Sequence, residues 1–327
     1  MKKVIILIIA LLVVFALCFW AYNYFTKDAN NPSPPDVVVN SDDLYSALFT
    51  PEDFPKMDAS LATQPLTDAF YQNFLGIDPS EAEGYKEYTN THWGYERLIT
   101  GHTTFKDKEY ADRDIIVVTY PSEEEQQLAK EYNIDLEITP VVNEGFVFFV
   151  NKDNPVDNLT LKQIQDIYSG KITNWKEVGG LDEPIVPYQR PVNSGSQSGM
   201  LELVMKDENG NPIEMIEPTK ETFEETMEGI IEAVADYDNS RQALGYSYYY
   251  YANTMFTKDS IKLISINGVA PNNETIKNGT YPIHTAYYVV IRKDEPQDSP
   301  VRKLKNAMLS YRGQLVAENA GYVPVGK

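Results

Sequence analysis

A chain of 327 residues with 43% hydrophobic content is long enough for two lobes of ordinary size, each with its own core. Its net charge of −20 argues against a nucleic-acid partner, which would call for clustered Lys and Arg. A single cysteine, Cys18, excludes an intramolecular disulfide framework, and with His92, His102 and His284 as the whole histidine complement neither a thiolate nor a histidine-rich metal centre is expected.

The chain opens with Met1-Lys2-Lys3 and an apolar run from Val4 to Ala21, closed by Tyr22, Tyr24 and Phe25. A positive start, a membrane-length apolar segment and an interfacial aromatic end predict a single-pass anchor over residues 1–25 with the rest of the chain extracytoplasmic. No small-x-small cleavage site follows, so an uncleaved anchor is preferred over lipidation at Cys18, which lacks a small residue immediately before it. Residues 26–43, with NPSPPD at their centre, have the composition of a stiff spacer. From residue 44 the pattern becomes globular.

In that body LTDAFYQNFLG predicts a helix, DIIVVTYP a strand, EEEQQLAKEY a charged helix, and IDLEITPVV and GFVFFVN two further strands. LTLKQIQDIYSG predicts a helix stopped by Gly170; ETMEGIIEAVADY and SPVRKLKNAMLSYRGQLVAENAG are the remaining helices. This alternation points to α/β architecture.

Four hydroxyl-bearing loops precede probable helices: MDASLATQPL (57–66), NTHWGYERL (90–98), VTYPSEEE (118–125) and the stretch from Arg190 to Ser198. Any one alone reads as ordinary N-capping, whereas four together, one with an arginine, suggest a shared ligand. In YQRPVNSGSQSGM (188–200) the helix opening leaves backbone N–H groups free, the hydroxyls of Ser194, Ser196 and Ser198 add donors, Gly195 permits close approach, and Arg190 supplies a planar countercharge. That chemistry suits an oxyanion. No HExxH, P-loop or GxGxxG occurs, and Gln197 stands where a GxSxG nucleophile elbow needs serine. With neither His nor Lys accompanying the serines, the chain is not read as an enzyme, and no cofactor is expected.

The run NKDNPVDNLTLKQIQDIYSGKITNWKEVGG (151–180) closely resembles the phosphate-binding proteins of ABC importers, the PstS-like group with the type II periplasmic-binding-protein fold. DASLATQPL, the Arg190-x-x-x-Ser194-Gly195-Ser196 spacing, ALGYSYYYYA from Ala243 and the terminal RGQLVAENAGYVPV extend the resemblance over roughly Pro55 to Val325. It implies two α/β lobes with a hinge and an interlobe ligand cleft: residues 44–143 and 251–327 in one lobe, 144–250 in the other. It further implies binding of phosphate or a similar oxyanion, delivery to an ABC permease, and ligand contacts from Ser60, Thr63, Thr91 (His92 as alternative), Arg190, Ser194, Gly195 and Ser196. Ala59 and Leu61 depart from the family's usual glycine and hydroxyl residue. Where the family places an aspartate to accept the proton of hydrogen phosphate, this chain offers Thr119 and Tyr120, with Asp58 a candidate replacement. These departures keep a second role open, a surface sensor or accessory protein with a changed ligand. Trp175 is expected to pack, His284 to end a strand, and Glu123 to Glu125 to start a helix; for the tyrosines at 246 and 248–251, cleft and core remain equal alternatives.

Overall fold

A computed structural model describes residues 46–77, 81, 87–192 and 194–326. The anchor expected over 1–25, Cys18 and the spacer up to residue 43 lie outside the described residues. Within them no helix is long and apolar enough to cross a membrane.

The first part of the body runs β1 (Met57–Ala59), α1 (Gln64–Leu75), α2 (Thr91–Thr100), β2 (His102–Phe105), β3 (Lys108–Ala111), β4 (Ile115–Val118), α3 (Glu123–Glu131) and β5 (Leu136–Asn151). It continues with β6 (Asn158–Leu159), α4 (Leu161–Tyr168), β7 (Val186–Pro187), α5 (Gly195–Gly199), α6 (Met227–Asp236) and β8 (Ala243–Tyr248). The last part holds β9 (Ile261–Leu263), β10 (Ser265–Ile266), α7 (Asn273–Lys277), β11 (His284–Arg292), α8 (Pro300–Leu309), α9 (Tyr311–Asn319) and β12 (Val323–Pro324).

Local chemistry explains most boundaries. Helix α1 carries proline in its first turn and stops at Gly76, whose φ of 64° is the left-handed conformation glycine adopts freely. In α3 Ser122 and Glu125 form a reciprocal capping box, and Glu123 to Glu125 lie at the dipole's positive end, as expected. The long C-terminal helix is instead two. Ser310 is extended (φ −68°, ψ 164°) and caps α9 by accepting from the Gly313 N–H, while a Cβ on Gly313 would fall 2.2 Å from the Ala307 carbonyl oxygen. Buried residues recur at helical spacing on both sides of that break, from Val301, Leu304 and Met308 to Arg312, Gly313 and Ala317, which is why the sequence reads as one helix.

The main sheet has the order β1-β4-β11-β5-β8-β7, with β9 and β12 also on β5. Strand β4, IIVV, is buried throughout and pairs parallel to β1 and antiparallel to β11, as a continuous apolar run should. The two strands expected from IDLEITPVV and GFVFFVN are one strand of 16 residues. The Asn143-Glu144-Gly145 run between them favours a turn in sequence, but here the three residues pair with Ala286, Thr285 and His284 of β11 and the strand continues. Its N-terminal part pairs with β11 and β12, and Phe146 onward pairs with β8 and β9. β5 therefore ties two groups of strands together. β9 pairs with residues 149–151 and β10 with residues 158–159. Residues 261–266 thus pair with strands of 144–250, unlike the division expected from the sequence, and Ile261, Ile264 and Ile266 are buried in the hydrophobic core.

Glu144 sits where β5 passes between the two groups. It is 2% exposed, and one carboxylate oxygen accepts from the N–H groups of Gly145 (2.8 Å) and Tyr250 (3.2 Å). Burial pushes its carboxyl up from 4.5 to about 8 against the pull of those N–H groups. The native state therefore holds a proton that the unfolded chain has released between pH 4.5 and 8, so this group's stabilising contribution is lost as pH rises through that window. Glu144→Gln is expected to remove that decline, gaining up to ~4 kcal/mol relative to the parent at pH 8 and nothing near pH 4. Urea unfolding of both proteins across the range measures it; parallel stability curves would contradict it.

Candidate functional site

Four chain segments converge on a cavity of about 580 Å³. The loop after β1 contributes Ser60 to Ala62, the start of α2 contributes Asn90 and Thr91, the end of β4 contributes Thr119, and the opposite wall is built from Arg190 and the α5 opening at Ser194 to Ser196. Of the four loops expected to share a ligand, the third supplies only Thr119. Its helix start turns away, and its place is taken by Glu225, Thr226 and Met227 at the opening of α6.

The α5 opening is ordered by its own side chains. Ser194 is the N-cap, its hydroxyl accepting the Gln197 N–H at 3.1 Å. Gln197 in turn accepts from the Arg190 N–H at 3.1 Å and from the Tyr246 hydroxyl. This fixes Arg190 beside the first turn, where the Gly195 and Ser196 N–H groups have no helical carbonyl to meet. The helix continues from α5 into a π-helical turn over Met200–Val204, so the dipole behind these groups spans more than α5 alone.

Arg190 is 8% exposed and forms no ion pair among the described residues. One terminal guanidinium nitrogen donates to the Glu225 carbonyl at 3.0 Å; Nε and Nη1 have no partner among the described residues, nor does the buried Ser196 hydroxyl. Burial lowers the guanidinium to about 10, which still leaves it charged at neutral pH. Unpaired buried donors of this kind are costly unless a ligand satisfies them. A buried cation, a hydroxyl without a partner among the described residues and a helix start on one cavity wall have the donor chemistry that an oxyanion would need.

The facing wall is close. A Cβ on Gly195 would lie 2.8 Å from the Thr91 Oγ1 and 3.0 Å from the Thr119 Oγ1, and the Tyr248 hydroxyl donates to the Gly195 carbonyl at 3.1 Å. Glycine is required there by close approach, not by its φ.

Ser60, Thr91, Thr119, Arg190, Ser194, Gly195 and Ser196 all line the cavity. Thr63, expected as a ligand contact, does not. It is fully buried, its hydroxyl 2.5 Å from the Val117 carbonyl and 2.9 Å from the Ser60 hydroxyl, so it braces Ser60 from behind. His92, the alternative to Thr91, points to Glu125 at 2.8 Å; burial works to lower its imidazole, but the carboxylate holds it above its ordinary value. Asp58 is also turned inward. Its carboxylate takes Arg97 Nη1 (2.7 Å), the Thr89 hydroxyl (2.7 Å) and the N–H groups of Ala59 and Thr89 (2.7 and 2.8 Å). With those four donors it ties the β1 loop to the approach of α2 and is unavailable to a ligand.

Trp175 packs, its indole N–H on the Gln242 carbonyl at 2.9 Å. Tyr246 lies in the core against Phe146 and Tyr168, while Tyr248 reaches the cavity. Sequence reasoning missed Tyr88, Phe105, Lys106 and Met227. Lys106-Asp107, with φ values of 49° and 61°, make the tight turn joining β2 and β3, and Phe105 and Lys106 line the cavity.

Comparison with known proteins finds a PBP superfamily domain over residues 82–310. The phosphate-binding protein PstS of Bacillus subtilis is 24% identical over 269 residues, covering 82% of this chain and 80% of that protein. PstS of Staphylococcus epidermidis is 26% identical over 275 residues, covering 82% and 78%. Among solved structures, an ABC-type phosphate transport receptor from Vibrio cholerae superposes with a TM-score of 0.58 at 21% identity, covering 82% of this chain and 98% of that one. The two-lobed α/β fold is therefore shared.

Proposed function

We propose, from the premise that this chain belongs to the PBP superfamily, that it is an extracytoplasmic solute-binding protein taking phosphate or a related tetrahedral oxyanion for an ABC permease. Residues 1–25 tether it to the cell membrane as a single-pass anchor, and 26–43 space the body from the surface. The observation that carries the reading is Arg190: a buried guanidinium on the cavity wall whose Nε and Nη1 have no partner among the described residues, as is also true of the buried Ser196 hydroxyl. The names of the relatives, phosphate-binding proteins and a phosphate transport receptor, support the ligand class and the transport role.

Binding needs no bond to be made or broken. The ligand adds acceptor oxygens to donors on both walls, Arg190, Ser194, Ser196 and the α5 N–H groups on one side, Ser60, Thr91 and Thr119 on the other. Only contacts to both can favour a closed cleft over an open one, because a ligand shifts that equilibrium by its differential affinity. Residues 44–143 with most of 251–327 move against 144–250, and β5 is the hinge strand in this reading. Isothermal titration of the full-length protein with phosphate and with sulfate is expected to give micromolar or tighter binding for at least one; heat from no small oxyanion overturns the proposal.

Gly195→Ala tests the two-walled site. The added methyl would press on the hydroxyls of Thr91 and Thr119, so the walls must separate and oxyanion affinity is expected to fall at least ~10-fold with little change in melting temperature. Unchanged affinity would mean that closure does not bring these groups together.

A further inference from the structure

The cavity is larger, and differently lined, than a bare phosphate requires. Four oxygens at about a water's share of ~30 Å³ each give on the order of 120 Å³; the cavity offers about 580 Å³. The donors on its wall include Arg190, Ser196 and Thr91. The same wall also carries Leu61, Tyr88, Phe105 and Met227, side chains with no charge to offer an oxyanion.

The second feature is the acceptor side. Hydrogen phosphate keeps a P–OH at neutral pH, and burying that hydroxyl needs an acceptor. Among the described residues the one carboxylate on the wall is Glu225, which is exposed, and Asp58 is spent on Arg97, Thr89 and Ala59. A monoester behaves differently. Its second pKa is about 6, so at neutral pH it is mainly a dianion with three terminal oxygens that only accept and no hydroxyl to satisfy. Sulfate also lacks a hydroxyl but leaves the apolar part of the cavity unfilled.

Resting on the oxyanion reading above, we propose that the ligand is a phosphomonoester, its PO₃ group held at Arg190, Ser196 and the α5 opening and its organic substituent lying against Tyr88, Phe105 and Met227. The β2–β3 hairpin is the specificity element. Its tight turn sets Phe105, half-buried and 6.0 Å from Trp93 between ring centroids, against the substituent and leaves the exposed Lys106 beside it on the wall, where it can meet any further negative charge. Burying one small apolar or aromatic group there is worth about 1–3 kcal/mol, enough for roughly 10- to 100-fold discrimination.

Titration of the full-length protein with orthophosphate, sulfate, glycerol 3-phosphate, phenyl phosphate and methylphosphonate at one ionic strength tests this. At least one of the two esters is expected to bind 10-fold or more tightly than orthophosphate, sulfate and methylphosphonate. Phe105→Ala should cost that ligand 5-fold or more while leaving orthophosphate and sulfate unchanged. Orthophosphate binding as tightly as every ester overturns the inference and leaves the oxyanion reading standing, as does sulfate matching the best ester. Equal losses for all ligands in Phe105→Ala also overturn it. Absence of binding by all five removes the oxyanion reading and this inference with it.

Discussion

Arg190→Met should weaken oxyanion binding by roughly 30- to 5,000-fold, the ~2–5 kcal/mol attached to losing one partner of a buried charged hydrogen-bonded pair. The same substitution should leave the ligand-free protein at least as stable. In the absence of ligand the guanidinium is 8% exposed and, among the described residues, has no carboxylate partner and leaves two nitrogens unpaired. Replacing an uncompensated buried charge by an apolar side chain of similar length relieves a desolvation cost. Titration calorimetry and thermal unfolding of one preparation read both effects. A melting temperature several degrees lower with affinity intact would make Arg190 a structural residue and remove the observation on which the functional reading rests.

The second large effect is on stability. Asp58→Ala should cost ~3–5 kcal/mol, because it strands a fully buried arginine. Arg97 retains Glu87 at 2.9 Å, a residue 39% exposed at its side chain and so a weaker compensation. The N–H groups of Ala59 and Thr89 lose their acceptor too, and these residues flank Ser60 and Thr91. Oxyanion affinity should therefore fall with stability. Asp58→Asn, which keeps one oxygen acceptor, should lie between the parent and Asp58→Ala in urea unfolding. If Asp58→Ala unfolds at the parent's urea concentration yet changes the ratio of phosphate to sulfate affinity, Asp58 contacts ligand after all.

Much of this molecule was legible from its residues. Loops with a hydroxyl before a helix, an arginine four residues ahead of Ser194 and a glycine beside it are local signals, and local signals survive without a fold. The strand at Ile115–Val118 and the helix stops at Gly76 and Gly170 were readable for the same reason. What escaped depends on partners distant in sequence. Thr63 differs from Ser60 only in facing the Val117 carbonyl, and Asp58 becomes a brace only because Arg97 lies across from it. Tyr88, Phe105 and Met227 carry no chemical label that separates a cavity wall from a core. Merging of two expected strands into β5 was hidden by Asn143 to Gly145, residues that usually mark a turn and here continue the ladder.

The place of β11 in the sheet bears on how this protein is made. β4, with four buried apolar residues, has β11 as its antiparallel neighbour, and β11 is not synthesised until the chain has reached residues 284–292. As the polypeptide emerges from the ribosome, the β4 edge and the N-terminal part of β5 must wait for most of the chain before they can pair. A nascent chain arrested before residue 284 should bind a holdase chaperone and be digested readily by protease, whereas one arrested far enough on for β11 to clear the exit tunnel should become resistant.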